Sequence, residues 1–300
     1  MSQFLVSQGG YEILLGSRKQ REQAQWLPGA RVFQTQWDSP RCLEGVCTAV
    51  DVVVHLAGMN AQDCMVDPIG ALEVNAVATA RLLRSAIRQG VKRFIYLSTA
   101  HVYRNPLVGT ITEETCPVNL HPYATSHHAG EDLVRAAHQR GEIEGIVIRL
   151  SNAYGAPAHQ TVNCWMLLVN DLCRQAITTQ KMILHSSGLQ RRDFITLTDA
   201  CKAINHLMAL SASKLGNGLF NVSGSWSPTV LEMTERMAER IHHKTGSKPS
   251  ILRRTDQNTE STELLDYRMT KLLDTGFCIN NNNNVDQEID TLIQFCLEHI

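Results

Sequence analysis

The chain has 300 residues, 43% of them hydrophobic, which is enough to bury the core of one large α/β unit or two lobes and excludes a disordered chain. Lys and Arg (28) nearly balance Asp and Glu (29), which excludes a strong field toward nucleic acid or an anionic membrane and favours a small neutral or locally anionic ligand. No apolar run reaches the roughly 20 residues that span a bilayer, and Met1-Ser2-Gln3-Phe4 lacks the basic start of a secretory signal, so the expected location is cytoplasmic.

In chain order, Ser2 to Val6 reads as a short helix and Gly9-Gly10 as a turn into a strand over residues 11–16. Further strands are expected over residues 51–56, 93–97 and 145–150, dense in Val, Ile or aromatic residues with little alternation, the pattern of strands covered on both faces. Between them, residues 71–89 repeat apolar positions at helical spacing and stop at Gly90, and a second helix is expected over 123–139. Alternating strands and helices predict βαβ units and a parallel sheet. Beyond Tyr154-Gly155 the pattern is more irregular and mainly helical, with returning strands near 182–184, 194–197 and 219–222. Ser227-Pro228 predicts an N-cap and first helical residue for a helix through about Ile241. The Asn run 280–284 reads as a solvated loop before a last amphipathic helix. No internal repeat is found.

The nine cysteines are scattered, without a Cys-x-x-Cys pair or a His at ligand spacing, and read as reduced, mostly buried small hydrophobes. The histidines form no H-E-x-x-H set and no G-x-S-x-G elbow is present, so metal and serine-hydrolase chemistry are set aside.

An ordered set of motifs carries the chemistry. It comprises Val54-His55-Leu56-Ala57-Gly58 at a strand end, Asn75 in the next helix, and Phe94-Ile95-Tyr96-Leu97-Ser98-Thr99-Ala100-His101-Val102-Tyr103. It continues with Pro122-Tyr123-Ala124-Thr125-Ser126-His127, Arg149-Leu150-Ser151-Asn152-Ala153-Tyr154-Gly155 and Arg192-Asp193-Phe194-Ile195. Each is weak alone. In this order, over nearly the whole chain, they resemble the extended short-chain dehydrogenase/reductase family, which includes NAD-dependent epimerases, dehydratases and reductases of nucleotide sugars.

The resemblance implies a Rossmann-like, doubly wound parallel sheet in residues 1–155 and a smaller substrate-binding lobe in 156–300, with strands returning to the sheet near 193–197 and 218–222. It implies that Thr99 hydrogen-bonds the reacting sugar oxygen and that Tyr123 exchanges the proton as hydride moves to or from a nicotinamide. Leu56, Ala57, Gly58, Asn75, Tyr123 and His127 then fall on cofactor-binding positions, and Asn152 and Arg192 on contacts to the nucleotide-sugar diphosphate, where a planar guanidinium suits a pyrophosphate. A structural ion pair with Asp193 or Asp199 is the alternative for Arg192. Ser17-Arg18-Lys19 at the end of the second strand favours the 2′-phosphate of NADP over NAD, against the alternative of a solvated basic turn. Asp38 falls on an adenine-contacting position, with a simple loop Asp as the alternative. The reaction expected is NAD(P)-dependent epimerisation or keto reduction, because Ala100 and His101 stand where family dehydratases carry an acid pair. The alternatives are a catalytically inactive module that binds a dinucleotide or nucleotide sugar as a regulatory signal, and a decayed product without ligand.

Two departures from the family pattern matter. The family places a Lys four residues after the Tyr to lower its pKa; here that position is His127, which is mostly neutral near pH 7 at its unperturbed value of roughly 6.5. The family also opens with a strand and a glycine-rich turn that hold the pyrophosphate, and neither is present. The expectation is that roughly a dozen residues of a Rossmann opening lie upstream of Met1, and that without them the sheet has a gap or re-pairs. A homodimer through a seam of the 71–89 and 123–139 helices is also expected.

Overall fold

A computed structural model of the chain describes residues 1–18, 26–254, 263–279 and 281–300, the first three residues of the last segment by backbone alone. Lys19 lies outside them. In chain order the elements begin α1 (Ser2–Gln8), β1 (Leu14–Ser17), β2 (Arg31–Gln34), α2 (Pro40–Cys47), β3 (Val52–His55), α3 (Ala61–Val66) and α4 (Pro68–Leu72). A π-helical turn (Glu73–Val77) leads into α5 (Ala78–Arg88), followed by β4 (Arg93–Thr99), β5 (Gly109–Ile111), α6 (Pro122–Gln139), β6 (Glu144–Leu150) and β7 (Asn152–Tyr154). Next come α7 (Leu168–Thr179), β8 (Lys181–Leu184), β9 (Phe194–Thr196), α8 (Leu197–Ala209), β10 (Leu219–Val222) and α9 (Val230–Thr245). The last are β11 (Ser250–Arg253), β12 (Leu265–Tyr267), α10 (Thr270–Leu273) and α11 (Asn281–His299).

The chain divides into two compact units. The first comprises residues 1–104, 116–149 and 204–220. Its main sheet has the order β10-β6-β4-β3, and β1 pairs in parallel with β2 in a separate ribbon. Among the described residues the sheet is therefore interrupted between β1 and β3, and of the two expected outcomes the gap is the one found. Burial follows that interruption. Strands β4 and β6 are almost wholly buried, whereas Val52, Val53 and Val54 of β3 remain half-buried, correcting the expectation that this apolar run is covered on both faces. One core layer is formed by Leu43 and Cys47 of α2, Leu82, Leu83 and Ala86 of α5, Phe94 and Tyr96 of β4, and Val134 and Ala137 of α6.

Gly9 and Gly10 do form a turn, with φ of +74° and +77° that L side chains rarely adopt. The expected 71–89 helix exists but is interrupted by the π turn at Glu73–Val77, and it ends before Gly90 at φ +72°.

The second unit comprises residues 105–115, 150–203 and 221–300. It contains the parallel pairs β7–β9, β8–β11 and β5–β12, and a core in which α7, α9 and α11 pack Leu172, Met237, Ile241, Ile289, Leu292 and Ile293. Two expectations are corrected here. The N-cap of α9 is Thr229 rather than Ser227, because Thr229 and Glu232 form a reciprocal capping box. The Asn run is not a loop: from Asn281 it is the first turn of α11, which Asn284, Asp286 and Asp290 tie to Asp199, Arg236 and Arg240.

Candidate active site

Three elements of the first unit meet around Tyr123: the end of β4, the N-terminus of α6, and the turn that follows β3. Thr99 is the last residue of β4 and is buried, and its hydroxyl accepts from the backbone N–H of His101 at 3.1 Å. Tyr123 is the second residue of α6, behind Pro122, which fits the first helical position because it has no N–H to leave unpaired. The nearby Thr99 hydroxyl lowers the Tyr123 pKa, but burial outweighs it and holds the phenol above its ordinary value. Thr99 therefore lies close to the phenol.

His127 lies one helical turn on, its ring edge-on to that of Tyr123 with centroids 4.6 Å apart. Its tautomer follows from its partners. The Asn75 carbonyl can only accept, so the Tyr96 hydroxyl donates to it at 3.0 Å, and the phenolic oxygen then accepts from His127 Nδ1, also at 3.0 Å. Nε2 is left as an acceptor on the Gly58 side, where a Cβ at position 58 would stand 3.6 Å away. The same bookkeeping extends inward: Thr79 donates to the Asn75 carbonyl at 2.8 Å and His55 Nε2 donates to Thr79 at 3.1 Å. Burial, with His55 as a lesser cause, lowers the His127 pKa to about 4, and burial lowers that of His55 to about 4. Both imidazoles are neutral at pH 7.

Asn75, supplied by the π turn, holds the shelf after β3. Its side chain accepts from Met59 N–H at 2.7 Å and donates to Ser126 at 3.0 Å, while its own backbone carbonyl takes the two hydroxyls above. Gly58 is needed beside it, since a Cβ there would lie 3.2 Å from Asn75 Oδ1. Leu56, Ala57 and Gly58 are exposed, Leu56 to 45%. One further turn along α6, Glu131 and Arg149 form a fully buried ion pair at 2.6 Å, with Ser98 donating to Glu131 and the guanidinium 4.6 Å over the Tyr103 ring. That cation is neutralised by its own carboxylate.

Of the residues expected from sequence, Thr99, Tyr123, His127, Asn75 and Gly58 come together in this way. Arg18 is exposed at the end of β1, and Asp38 is an exposed partner of Arg81. Asn152 and Arg192 belong to the second unit, where Asn152 donates to the Asp193 carbonyl at 2.9 Å and buried Asp193 accepts from Ser223 and Gly224. Sequence reasoning missed Tyr96 and Glu131 as partners. Glu131 had a signal: positions 123, 127 and 131 share one face of a helix. Tyr96 stood inside a quoted motif, but only the approach of three elements shows what its hydroxyl does.

The fit of a nicotinamide dinucleotide differs by end. The exposed Leu56–Gly58 shelf beside Asn75 and the His127 Nε2 acceptor suit the nicotinamide riboside. The described residues offer no strand-to-helix glycine turn for the pyrophosphate, since Gly9 and Gly10 join a helix to a strand. No group of three His, Cys, Asp or Glu among the described residues is placed to hold a metal ion, and no described helix is long and apolar enough to cross a membrane.

A family model described as the NAD dependent epimerase/dehydratase family matches residues 1–223. A dTDP-D-glucose 4,6-dehydratase of Mus musculus is 26% identical over 219 residues, covering 73% of this chain and 56% of that protein. A dTDP-glucose 4,6-dehydratase of Actinoplanes sp. is 30% identical over 198 residues, 66% of this chain and 59% of that protein. The chain thus spans under two thirds of the length of these relatives. Among solved structures, the UDP-glucose 4-epimerase of Thermotoga maritima with UDP-glucose superposes with a TM-score of 0.82 at 17% identity, covering 99% of this chain and 94% of that one. MoeE5 in complex with UDP-glucuronic acid and NAD gives 0.80 at 19% identity, covering 100% and 95%. RMD of Pseudomonas aeruginosa complexed with NADPH gives 0.72 at 20% identity, covering 90% and 91%. At these identities the structural matches show the fold: a Rossmann-type α/β architecture.

Proposed function

The chain belongs to the NAD dependent epimerase/dehydratase family, and from that premise we propose that it interconverts an alcohol and a ketone on the sugar of a nucleotide-linked sugar, as an NAD(P)-dependent epimerase or reductase. The observation that carries this reading is the placing of Thr99 beside the Tyr123 phenol, with His127 packed on Tyr123 and facing Gly58. Thr99 orients the sugar oxygen. Tyr123 gives that oxygen its proton when a ketone is reduced and takes it when an alcohol is oxidised. A bound nicotinamide supplies the matching hydride acceptor or donor; Leu56, Ala57, Gly58, Asn75 and His127 would hold it, with Arg18 and Asp38 toward the adenosine and Arg18 favouring NADP. Asn152 and Arg192 would take the substrate diphosphate, with residues 156–300 as the substrate-binding lobe.

His127 changes the character of the proton step. Being neutral, it orients through Nε2 and gives a tyrosinate no cationic support, so Tyr123 ionises reluctantly and turnover is slow. Oxidation of an alcohol needs the phenolate, whose fraction rises tenfold per pH unit below the phenol pKa. The rate of oxidation therefore climbs through neutral and alkaline pH. Buried Ala100 and the adjacent His101 supply no acid pair, which favours epimerisation or reduction over water elimination even though the two sequence relatives above are dehydratases.

The test is turnover of UDP- and dTDP-linked glucose and 4-keto sugars with NAD(H) and NADP(H). Tyr123→Phe abolishes a low wild-type rate, a loss of at least about 100-fold, and His127→Lys raises it. Absence of any response to either change refutes the reading. The neutral imidazole in place of a cation at position 127 favours one other possibility, a regulatory module that binds the dinucleotide or sugar nucleotide without chemistry, and fluorescence titration showing binding with no turnover even in His127→Lys would establish it.

A further inference from the structure

We propose that Asn119 is the positioning residue of this site, fixing the distance between the Thr99 and Tyr123 hydroxyls. This role rests on the reading of those two groups as the reacting pair. They sit on different elements, one ending β4 and the other opening α6, and residues 105–115 between them are part of the second unit. Their spacing within the first unit depends on how the turns at 101–103 and 118–121 are fastened.

The fastening is a continuous chain of four hydrogen bonds. Thr99 Oγ1 accepts from the His101 N–H at 3.1 Å, and the His101 carbonyl accepts from Asn119 Nδ2 at 2.7 Å. Asn119 Oδ1 accepts from the His121 N–H at 3.0 Å, and His121 Nδ1 accepts from the Tyr123 N–H at 3.1 Å, which also caps α6. Backbone bonds from Val118 to the Tyr103 carbonyl (2.9 Å) and from Asn119 to that of Val102 (3.3 Å) run alongside. Thr99 also lies close enough to Tyr123 to lower the pKa of its phenol, which brings the two ends of this chain together as a ring.

Beside those two backbone bonds, the Asn119 side chain joins the two halves of this ring, and its junction needs a donor and an acceptor on one short stem, which is what a carboxamide provides. A carboxylate keeps the acceptor for His121 and loses the donor to His101. Asn119→Asp therefore cuts the Thr99 arm while leaving the α6 arm intact. Misplacing reacting groups by about 1 Å costs on the order of 100-fold in rate, so the effect falls on kcat rather than on KM.

The experiment uses the full chain labelled with ¹³Cζ-tyrosine, the Tyr123 resonance being assigned by its disappearance in Tyr123→Phe. Thr99→Val displaces that resonance, which establishes the hydroxyl pair. Asn119→Ala and Asn119→Asp both displace it in the same sense, lower kcat about 100-fold and leave KM within about twofold, with cooperative melting retained. The proposal is overturned if Thr99→Val moves the Tyr123 signal and neither Asn119 variant does, or if Asn119→Asp matches wild type, which would reduce Asn119 to a cap for α6. If Thr99→Val itself leaves the signal in place, the underlying pairing fails instead. Loss of cooperative melting in both Asn119 variants also overturns the role, since the ring would then hold the fold rather than the hydroxyls.

Discussion

An imidazole at position 127 has two nitrogens with different fates, and the difference sets what the residue can do. Nδ1 is committed to Tyr96, and the remaining lone pair on Nε2 can only accept a hydrogen bond where a lysine would donate one. Burial that keeps His127 and His55 neutral has a cost at acid pH. Both pKa values are lowered in the folded chain from 6.5 to about 4, so the unfolded chain binds more protons between those limits. Stability from this source is complete above about pH 6.5 and is lost as pH falls toward 4, at up to about 1.4 kcal/mol per pH unit for each group. The expected result is a melting temperature that declines as pH drops through this window, with a shallower slope in His127→Gln; equal slopes in both proteins would contradict it. Thr99, Tyr123 and His127 could be singled out in the sequence because each stands inside a short local motif. Tyr96 and Asn119 were not, because their roles come from side chains reaching between segments far apart in the chain.

The π turn at Glu73–Val77 and α6 approach closely enough that Gly130 has no room for a side chain. A Cβ there would lie 2.6 Å from the Tyr96 hydroxyl and 2.7 Å from the Asn75 carbonyl, the two atoms that orient His127. Alanine at a helical glycine gains about 1 kcal/mol in helix propensity, whereas forcing a methyl into a closed contact costs about 1–3 kcal/mol. Gly130→Ala is therefore expected to destabilise the protein on balance in chemical denaturation and to displace the His127 ring resonances; a gain in stability would show that the two helices separate freely. In α9, Thr229→Ala removes one half of the capping box and should cost about 1 kcal/mol, measured the same way. The signal for that cap, Thr229 three residues before Glu232, was present in the sequence, but Ser227-Pro228 offered a competing start. The Asn run misled by composition: low complexity reads as a loop, yet ion pairs and hydrogen bonds from Asn284, Asp286 and Asp290 anchor it as helix.

For the molecule as a whole, the sequence disclosed the parallel α/β plan, since most strands of the first unit leave local marks, and it left open whether the sheet is interrupted or re-paired. It did not disclose β2 or the pairings β8–β11 and β5–β12, whose short strands are stabilised by partners distant in sequence. Amide exchange should follow the interruption: β4, flanked by β3 and β6, is expected to exchange slowest, and β1 and β3 at least about tenfold faster. Exposed Leu72, Val77 and Leu133, on the 71–88 segment and on α6, offer an apolar strip for the proposed dimer seam. Sedimentation of Val77→Glu/Leu133→Glu should then report a monomer where the parent chain is dimeric; a parent that is monomeric at every concentration removes the seam. The half-buried valines of β3 have a colloidal consequence. Two strand borders with regularly spaced amides and carbonyls, and greasy side chains beside them, are templates for ribbons that grow from one molecule to the next, so turbidity on concentrating the protein should rise steeply, and a short extended peptide that seats against those borders should suppress it.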